Sequence, residues 1–181
     1  MKASRRVSHR VPVGIENRTD VQGDLAWRFP ARQYADQPLT PEGPAVCTRC
    51  HASLETDHWQ YDPQRYLALR DQPGIHEMLC PGCLRAERRL YEGEVTIRLR
   101  RGQLSRDDIL HLIHNEEARE RFTNPSARIA VMDDREDEIY LLTTTQFLAK
   151  RIGKELYKAY RGTLTVTPLL RERFTRVLWT R

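Results

Sequence analysis

Polar and apolar residues alternate along two stretches in the C-terminal half of the chain, 94–100 and 163–167. A period of two predicts strands with one buried and one exposed face. Shorter apolar runs at 127–132 and 138–143, separated by a charged turn, predict two further strands. This half of the chain is therefore expected to form a sheet of four strands.

Two helices are predicted between these strands. The first begins near Ser105, which has the spacing of a capping residue, and ends at Asn124-Pro125. The second covers about 146–160, follows a run of threonines that supplies its cap, and ends before Gly162. Apolar residues predict the buried side of each helix: Ile109, Leu112, Ile113 and Phe122 in the first, and Leu148, Ile152, Leu156 and Ala159 in the second.

The resulting order, β-α-β-β-α-β, is typical of a ferredoxin-like arrangement, and the expected fold class is α+β. The sequence predicts an irregular basic arm at 1–44, a zinc-binding unit at 45–91, a ferredoxin-like domain at 92–168 and a basic C-terminal tail at 169–181. An irregular α+β domain is the alternative for the third segment. In the ferredoxin-like order the first and third strands are central, so Val95 and Ile97 should face the helices.

The four cysteines of the chain form two pairs, Cys47-x-x-Cys50 and Cys80-x-x-Cys83. Four thiolates complete a tetrahedral Zn²⁺ site and leave no open position for water, which is typical of a structural site. The second pair contains Pro81-Gly82 and precedes a segment predicted to be helical, as in a treble clef or zinc ribbon. A short helix is also expected after Asp62-Pro63, a capping residue followed by proline.

Other cysteine chemistries remain open as alternatives. Cys47-x-x-Cys50-His51 matches the c-type haem attachment pattern, and Cys80-x-x-Cys83 has the spacing of a redox pair. Haem attachment would leave the second pair unexplained. A thioredoxin-like redox role is disfavoured, because no βαβ pattern surrounds the second pair. His51 or His76 could replace a cysteine as a ligand. One structural zinc ion bound by all four cysteines accounts for more of the sequence than any of these.

Positive charge is concentrated towards the C-terminus. Residues 146–181 contain nine basic and two acidic residues, a net charge of +7, whereas the whole chain carries +5. Segregated basic charge favours binding to nucleic-acid phosphates, because each neutralised phosphate releases counterions. The residues predicted to contact nucleic acid are Arg5, Arg6, Arg10, Arg49, Arg85, Arg88, Arg89, Arg98, Arg100, Lys150, Lys154, Lys158, Arg161, Arg171, Arg173 and Arg176.

Enzymatic signatures are weak. His111 and His114 are three residues apart on a predicted helix without a carboxylate at metal-binding spacing, and the acidic run 133–137 is typical of a solvated turn. No phosphate-binding glycine loop or nucleophile motif is present. We therefore expect a non-enzymatic protein without a small-molecule substrate. The N-terminus lacks the apolar core of a secretory signal, and no apolar run reaches membrane-spanning length, so a cytoplasmic location without membrane contact is predicted.

Paired zinc knuckles followed by a basic α/β module resemble the large-ribosomal-subunit export adaptor family of the nonsense-mediated-decay type. The similarity rests on the two cysteine pairs and on the stretch TTTQFLAKRIGK at 143–154, and it covers about half of the chain. That family carries more cysteine pairs than this chain. The resemblance implies contact with the ribosome or with ribosomal RNA, while an export role has no support.

The main hypothesis from the sequence is a zinc-stabilised, non-enzymatic protein that binds RNA, on the ribosome or a ribosomal precursor. The first alternative is a DNA-binding transcriptional regulator that uses the zinc unit as a scaffold. The second is an adaptor whose zinc unit binds a partner protein.

Overall fold

The computed structural model describes residues 41–99, 104–169 and 172–181. The helices are α1 (Pro63–Leu69), α2 (Pro81–Glu87), α3 (Arg106–Thr123) and α4 (Gln146–Tyr160). The strands are β1 (Ala45–Cys47), β2 (Ser53–Leu54), β3 (Trp59–Gln60), β4 (His76–Met78), β5 (Gly93–Arg98), β6 (Ile129–Asp134), β7 (Glu138–Thr143), β8 (Thr163–Leu169) and β9 (Phe174–Thr180). Within the described ranges, no helix has the length and apolar character needed to cross a membrane.

The larger of two sheets has five strands in the order β6-β7-β5-β9-β8. The α+β class is confirmed, and β5 and β7 lie inside the sheet as predicted for the first and third strands. The detailed order differs from the predicted one, because β9 lies between β5 and β8. In the ferredoxin-like order the last predicted strand, β8, would pair directly with β5. It instead forms the edge of the sheet beside β9.

The segment predicted to be a basic tail contains this inserted strand. β9 pairs in parallel with β5 over its whole length, from Gly93↔Thr175 to Arg98↔Thr180, and antiparallel with β8. Val177 and Trp179 are buried on the side of the helices. The prediction of a tail at 169–181 is therefore wrong for the strand residues. Burying the Trp179 indole against α4, between Ile97 of β5 and Leu164 of β8, outweighs the solvation of the neighbouring arginines.

Helices α3 and α4 cover one face of this sheet. Their buried residues form one core with Val95 and Ile97 of β5, as predicted. Leu148, Ile152 and Leu156 are fully buried, but Ala159 is exposed, and the next residue, Tyr160, packs against the core in its place. Phe122, predicted to be buried, is 73% exposed near the end of α3.

Capping residues act largely as predicted. Ser105 Oγ accepts a hydrogen bond from the Asp108 amide at the start of α3, and Thr145 Oγ1 accepts one from the Leu148 amide at the start of α4. Pro168, expected to end its strand, lies inside β8. An edge strand tolerates proline, since a residue without an N–H group can face away from the neighbouring strand.

The smaller sheet has the order β3-β2-β1-β4 and carries the cysteine pairs. Strands β1 and β4 are parallel, with Cys47 opposite Met78, so the two segments that lead into the cysteine pairs run side by side. Its core is small: Ala45, Ala52, Leu54 and Trp59 are buried together with Cys47, Cys80 and Cys83. Three of these seven residues are cysteines, so the stability of this unit depends strongly on the state of the thiols.

Candidate metal centre

The first cysteine pair lies in a tight turn between β1 and β2. The Cys47 amide donates to the Ala52 carbonyl at 2.8 Å, and the His51 amide donates to the Cys47 carbonyl at 3.0 Å. His51 closes this turn with a φ of 62°, a left-handed conformation that histidine adopts more readily than branched residues. The Thr48 amide also donates to the Met78 carbonyl at 3.1 Å, which ties the turn to the end of β4.

The second pair lies at the start of α2. Cys80 is the N-cap residue and Pro81 follows it as the first helical residue, so Cys83 comes one turn later on the same side. The Cys80 side chain makes no capping bond. Its own amide instead donates to Cys47 Sγ at 3.3 Å, which joins the two pairs.

The four Sγ atoms form one cluster in which all lie within 4.8 Å of one another, and Cys50 Sγ is 3.5 Å from Cys80 Sγ. Zinc–sulfur bonds of about 2.3 Å in a tetrahedron place the sulfurs roughly 3.8 Å apart, so the cluster has the size of a four-thiolate site. All four cysteines are free thiols. His51 and His76 are not part of the cluster. The predicted metal-binding set of Cys47, Cys50, Cys80 and Cys83 can therefore hold one metal ion.

Arg128, which the sequence did not indicate, contacts the cluster from the α/β domain. Its Nη2 donates to Cys50 Sγ at 3.1 Å and to Cys80 Sγ at 3.3 Å. Its Nη1 donates to the Ala127 carbonyl at 2.6 Å, and Arg128 as a whole is only 6% exposed. The guanidinium thus supplies positive charge beside two of the four sulfurs.

Charge around the cluster is reflected in two pKa values. The hydrogen bond with Cys47 raises the pKa of Cys50, while the bonds with Cys80 and Cys83 and the positive charge of Arg128 bring it down to about 6. Burial lowers the pKa of the Arg128 guanidinium, but the negative charge on Cys80 and Cys50 outweighs burial and raises that pKa above its usual range. Arg128 and the thiolates therefore stabilise each other's charged forms.

Backbone contacts beside Arg128 hold the two parts of the chain together. The Gly82 amide in α2 donates to the Pro125 carbonyl at 3.1 Å, and a Cβ atom at Gly82 would lie 2.5 Å from that oxygen. Glycine is needed here for this close approach, because any larger residue would place its Cβ against the Pro125 carbonyl. Arg85 Nε donates to the Thr144 carbonyl at 3.2 Å, and Arg85 also forms an ion pair with Glu92 at 2.5 Å.

Thr144 orders the loop that carries Arg128. Its hydroxyl donates to the Ser126 carbonyl at 2.6 Å and accepts from the Arg128 amide at 2.8 Å. The three consecutive threonines at 143–145 thus make different hydrogen bonds. Thr145 caps α4, Thr144 orders the loop, and the Thr143 hydroxyl donates to the Thr145 carbonyl at 2.9 Å. The sequence indicated only the cap.

Several arginines predicted to contact nucleic acid are engaged with acidic side chains. Arg49 pairs with Glu87 and also donates to the Cys83 carbonyl at 3.4 Å. Arg98 is 3.0 Å from Glu138, and Arg176 is 3.8 Å from Glu94 across the sheet. Arg85 connects α2 to the α/β domain, as described above. Nucleic-acid contact by these residues stays a prediction, but their charge is partly compensated within the fold.

The remaining predicted cations differ in position. Arg88 is half-buried and makes contacts within the fold, while Arg89 is exposed just after α2 with a φ of 56°. Arg173 is exposed just before β9. Arg5, Arg6, Arg10, Arg100 and Arg171 lie outside the described residues.

The basic residues of α4 and its C-cap residue, Arg161, share one exposed side of that helix. Lys154, Lys158 and Arg161 are exposed, and Lys150 is half-buried with its Nζ donating to Gln146 Oε1 at 2.9 Å. We call this set, together with two aromatic residues of the same side, Phe147 and Tyr157, the α4 basic face. The spacing of three or four residues along the helix places all six on one side.

The aromatic members of the α4 basic face were missed by the sequence analysis. Phe147 is 60% and Tyr157 43% exposed, which is unusual for large apolar rings, and Lys150 Nζ lies 5.8 Å from the centre of the Phe147 ring. Residue type alone does not predict that Phe147 and Tyr157 are exposed. Their helical positions do, because both lie away from the buried stripe of Leu148, Ile152 and Leu156.

Arg151 does not belong to this face. Its Nε is 2.7 Å from Glu116 Oε2 and its Nη1 is 3.2 Å from Glu120 Oε2, and Glu116 is almost completely buried. This ion pair joins α4 to α3. One of the nine C-terminal cations therefore stabilises the packing of two helices.

Comparison with known proteins finds no matching family model, no matching curated protein and no matching solved structure. The resemblance to the export adaptor family therefore stays a prediction.

Proposed function

We propose that the protein binds RNA through the α4 basic face and that it is not an enzyme. The observation that carries this proposal is a single helix side with four cations and two exposed aromatic rings. Glu155, the one acidic residue of α4, lies beside this side, 3.4 Å from Lys158 Nζ. Cations neutralise phosphates, and exposed rings offer surfaces on which unpaired bases stack.

We also propose that the cysteine cluster binds one structural zinc ion in a treble-clef-like unit. Four sulfur ligands suit zinc, and they leave no position for a reacting water molecule. The turn after β1 followed by a second cysteine pair at the start of α2 supports this assignment. Bound zinc would supply folding energy to a unit whose apolar core is small.

Ribosomal RNA is the target that we propose to test first, in a cytoplasmic setting. The support is the resemblance of the cysteine pairs and of the stretch at 143–154 to a family that contacts ribosomes. Part of that stretch forms the start of the α4 basic face, so the resemblance and the exposed surface coincide.

Binding to RNA should weaken steeply with salt. Four phosphate contacts to a single strand give a slope of about −2.8 for log affinity against log salt, or roughly fifty-fold weakening between about 50 and 200 mM. Filter binding to ribosomal RNA fragments and co-sedimentation with purified ribosomes over a salt series would measure it. No binding at low salt, or binding that is indifferent to salt, would contradict the proposal.

A double variant locates the contact. Changing Lys154 and Lys158 to Gln should reduce the slope by about 1.4, since two of four phosphate contacts are lost. The matched control changes Arg65 and Arg135 to Gln, which removes the same charge from cations paired with Glu55 and Asp133. Equal effects of the two double variants would show that net charge, rather than the α4 basic face, governs binding.

Two further measurements separate the alternative functions. A DNA-binding regulator would prefer duplex DNA over structured RNA of equal length. A protein adaptor would keep its main complex in cells when Lys154 and Lys158 are changed. Either result would replace RNA binding as the function of this surface.

A further inference from the structure

The contact between Arg128 and the cysteine cluster crosses from one part of the fold to the other. Arg128 is 48 residues from Cys80 and 78 from Cys50 in the chain, and it reaches both sulfurs with one Nη2 atom. Among the described residues, Arg128 is the one buried cationic side chain. Its Nε is buried and has no hydrogen-bond partner in the described part of the chain.

The buried position of the Arg128 guanidinium depends on negative charge at the cysteine cluster, and therefore on the metal. Burying a guanidinium is strongly unfavourable unless negative charge lies beside it. Among the described residues, no carboxylate forms an ion pair with Arg128, and the groups that accept hydrogen bonds from its side chain are Cys50, Cys80 and the Ala127 carbonyl. A zinc ion with four thiolates has a net charge of about −2 and would supply the missing counter-charge.

We propose that Arg128 is a positioning residue of the metal centre, and that metal binding through Arg128 holds the zinc unit on the α/β domain. The guanidinium donates to two sulfurs, orients them and offsets their charge, as outer residues of metal sites do. In return, the loaded centre stabilises the loop that contains Pro125 and Arg128. The proposal rests on the zinc site proposed above, concerns assembly of the fold and is independent of RNA binding.

The interface provides a matched control residue. Arg85 also joins the zinc unit to the α/β domain, but it does so through Glu92 and the Thr144 carbonyl rather than through a sulfur atom. A variant of Arg85 therefore weakens the interface without touching the cluster. Comparison of Arg85 and Arg128 separates a general effect of docking from a direct effect on the metal.

The first test measures zinc affinity of the full-length protein by competition with a chelating dye. Arg128→Met should bind zinc about 10–100-fold more weakly, the usual loss when an outer partner of a metal ligand is removed. Arg85→Met should stay within about threefold of the unchanged protein. Arg128→Lys retains the positive charge without the planar fork, so we expect a folded protein with an intermediate affinity.

The second test follows hydrogen exchange at the interface. Removing zinc from the unchanged protein should speed exchange of the Gly82 and Arg128 amides, which bond to Pro125 and Thr144, while amides paired between β5 and β7 stay protected. Arg128→Met loaded with zinc should show the same faster exchange. Should Arg128→Met fail to fold, Arg128→Lys and the zinc-free protein still decide the question.

Three results would overturn the proposal. One is zinc affinity of folded Arg128→Met within about threefold of the unchanged protein or, if that variant does not fold, zinc affinity of Arg128→Lys equal to that of the unchanged protein. Another is an equal loss of affinity in Arg85→Met. The last is interface exchange that does not change when zinc is removed.

Discussion

Changing Cys80 and Cys83 to Ser should reduce the metal content from about one zinc ion per chain to none and unfold the zinc unit. Binding of structural zinc supplies about 10–16 kcal/mol in zinc-finger peptides, and here it would support a core in which three of seven buried residues are cysteines. Metal analysis of the purified protein and hydrogen exchange over residues 45–80 would measure both effects.

The matched control is His76→Ala, which removes the other class of zinc ligand from an exposed position on β4. It should keep its zinc, since His76 is not part of the cysteine cluster. A chelator should reproduce the effect of the double cysteine variant on the unchanged protein. Full protection of residues 45–80 in the double variant would contradict a structural metal.

Trp179→Ala should lower the free energy of unfolding by about 3–5 kcal/mol, the usual loss for a large aromatic residue in a core. Trp179 is fully buried, lies between Ile97 and Leu164 in the sheet, and donates through Nε1 to the Arg161 carbonyl at 2.8 Å. The substitution therefore leaves a cavity beside α4 and an unpaired carbonyl at the helix end. Denaturant unfolding followed by far-ultraviolet circular dichroism would measure the change.

Phe122→Ala is the control, because its ring is 73% exposed on α3. Its effect should lie within about 0.5 kcal/mol. This comparison tests the position of β9 directly. A basic tail outside the fold would give Trp179→Ala the same small effect as Phe122→Ala.

The place of the C-terminal strand, β9, in the sheet could not be predicted from the sequence alone. Val177 and Trp179 alternate with polar or partly exposed residues, which is a strand signal, but Arg171, Arg173 and Arg176 dominated the interpretation. Pairing with β5 joins residues about eighty positions apart, and no local pattern records such a partner. Insertion of β9 then moved β8 to the edge, where Pro168 is tolerated.

By itself, the sequence determined the features that depend on local spacing. Two C-x-x-C pairs gave the ligand set, alternation gave β5 and β8, and capping residues gave the starts of α1, α3 and α4. These features need only neighbouring residues, since sulfur geometry, strand period and helix capping act over a few positions. The cationic spacing of α4 is of the same kind.

Tertiary structure alone decided which charges are free and which are used inside the fold. Arg128 lies on the cysteine sulfurs, Arg85 joins two parts of the chain, and Arg151 pairs with buried Glu116, whereas Lys154 and Lys158 remain exposed. An arginine in a sequence carries the same charge in every case. Its role depends on which partners a distant segment brings within about 4 Å. A buried charge with such a partner stabilises the fold, whereas an exposed charge can bind another molecule.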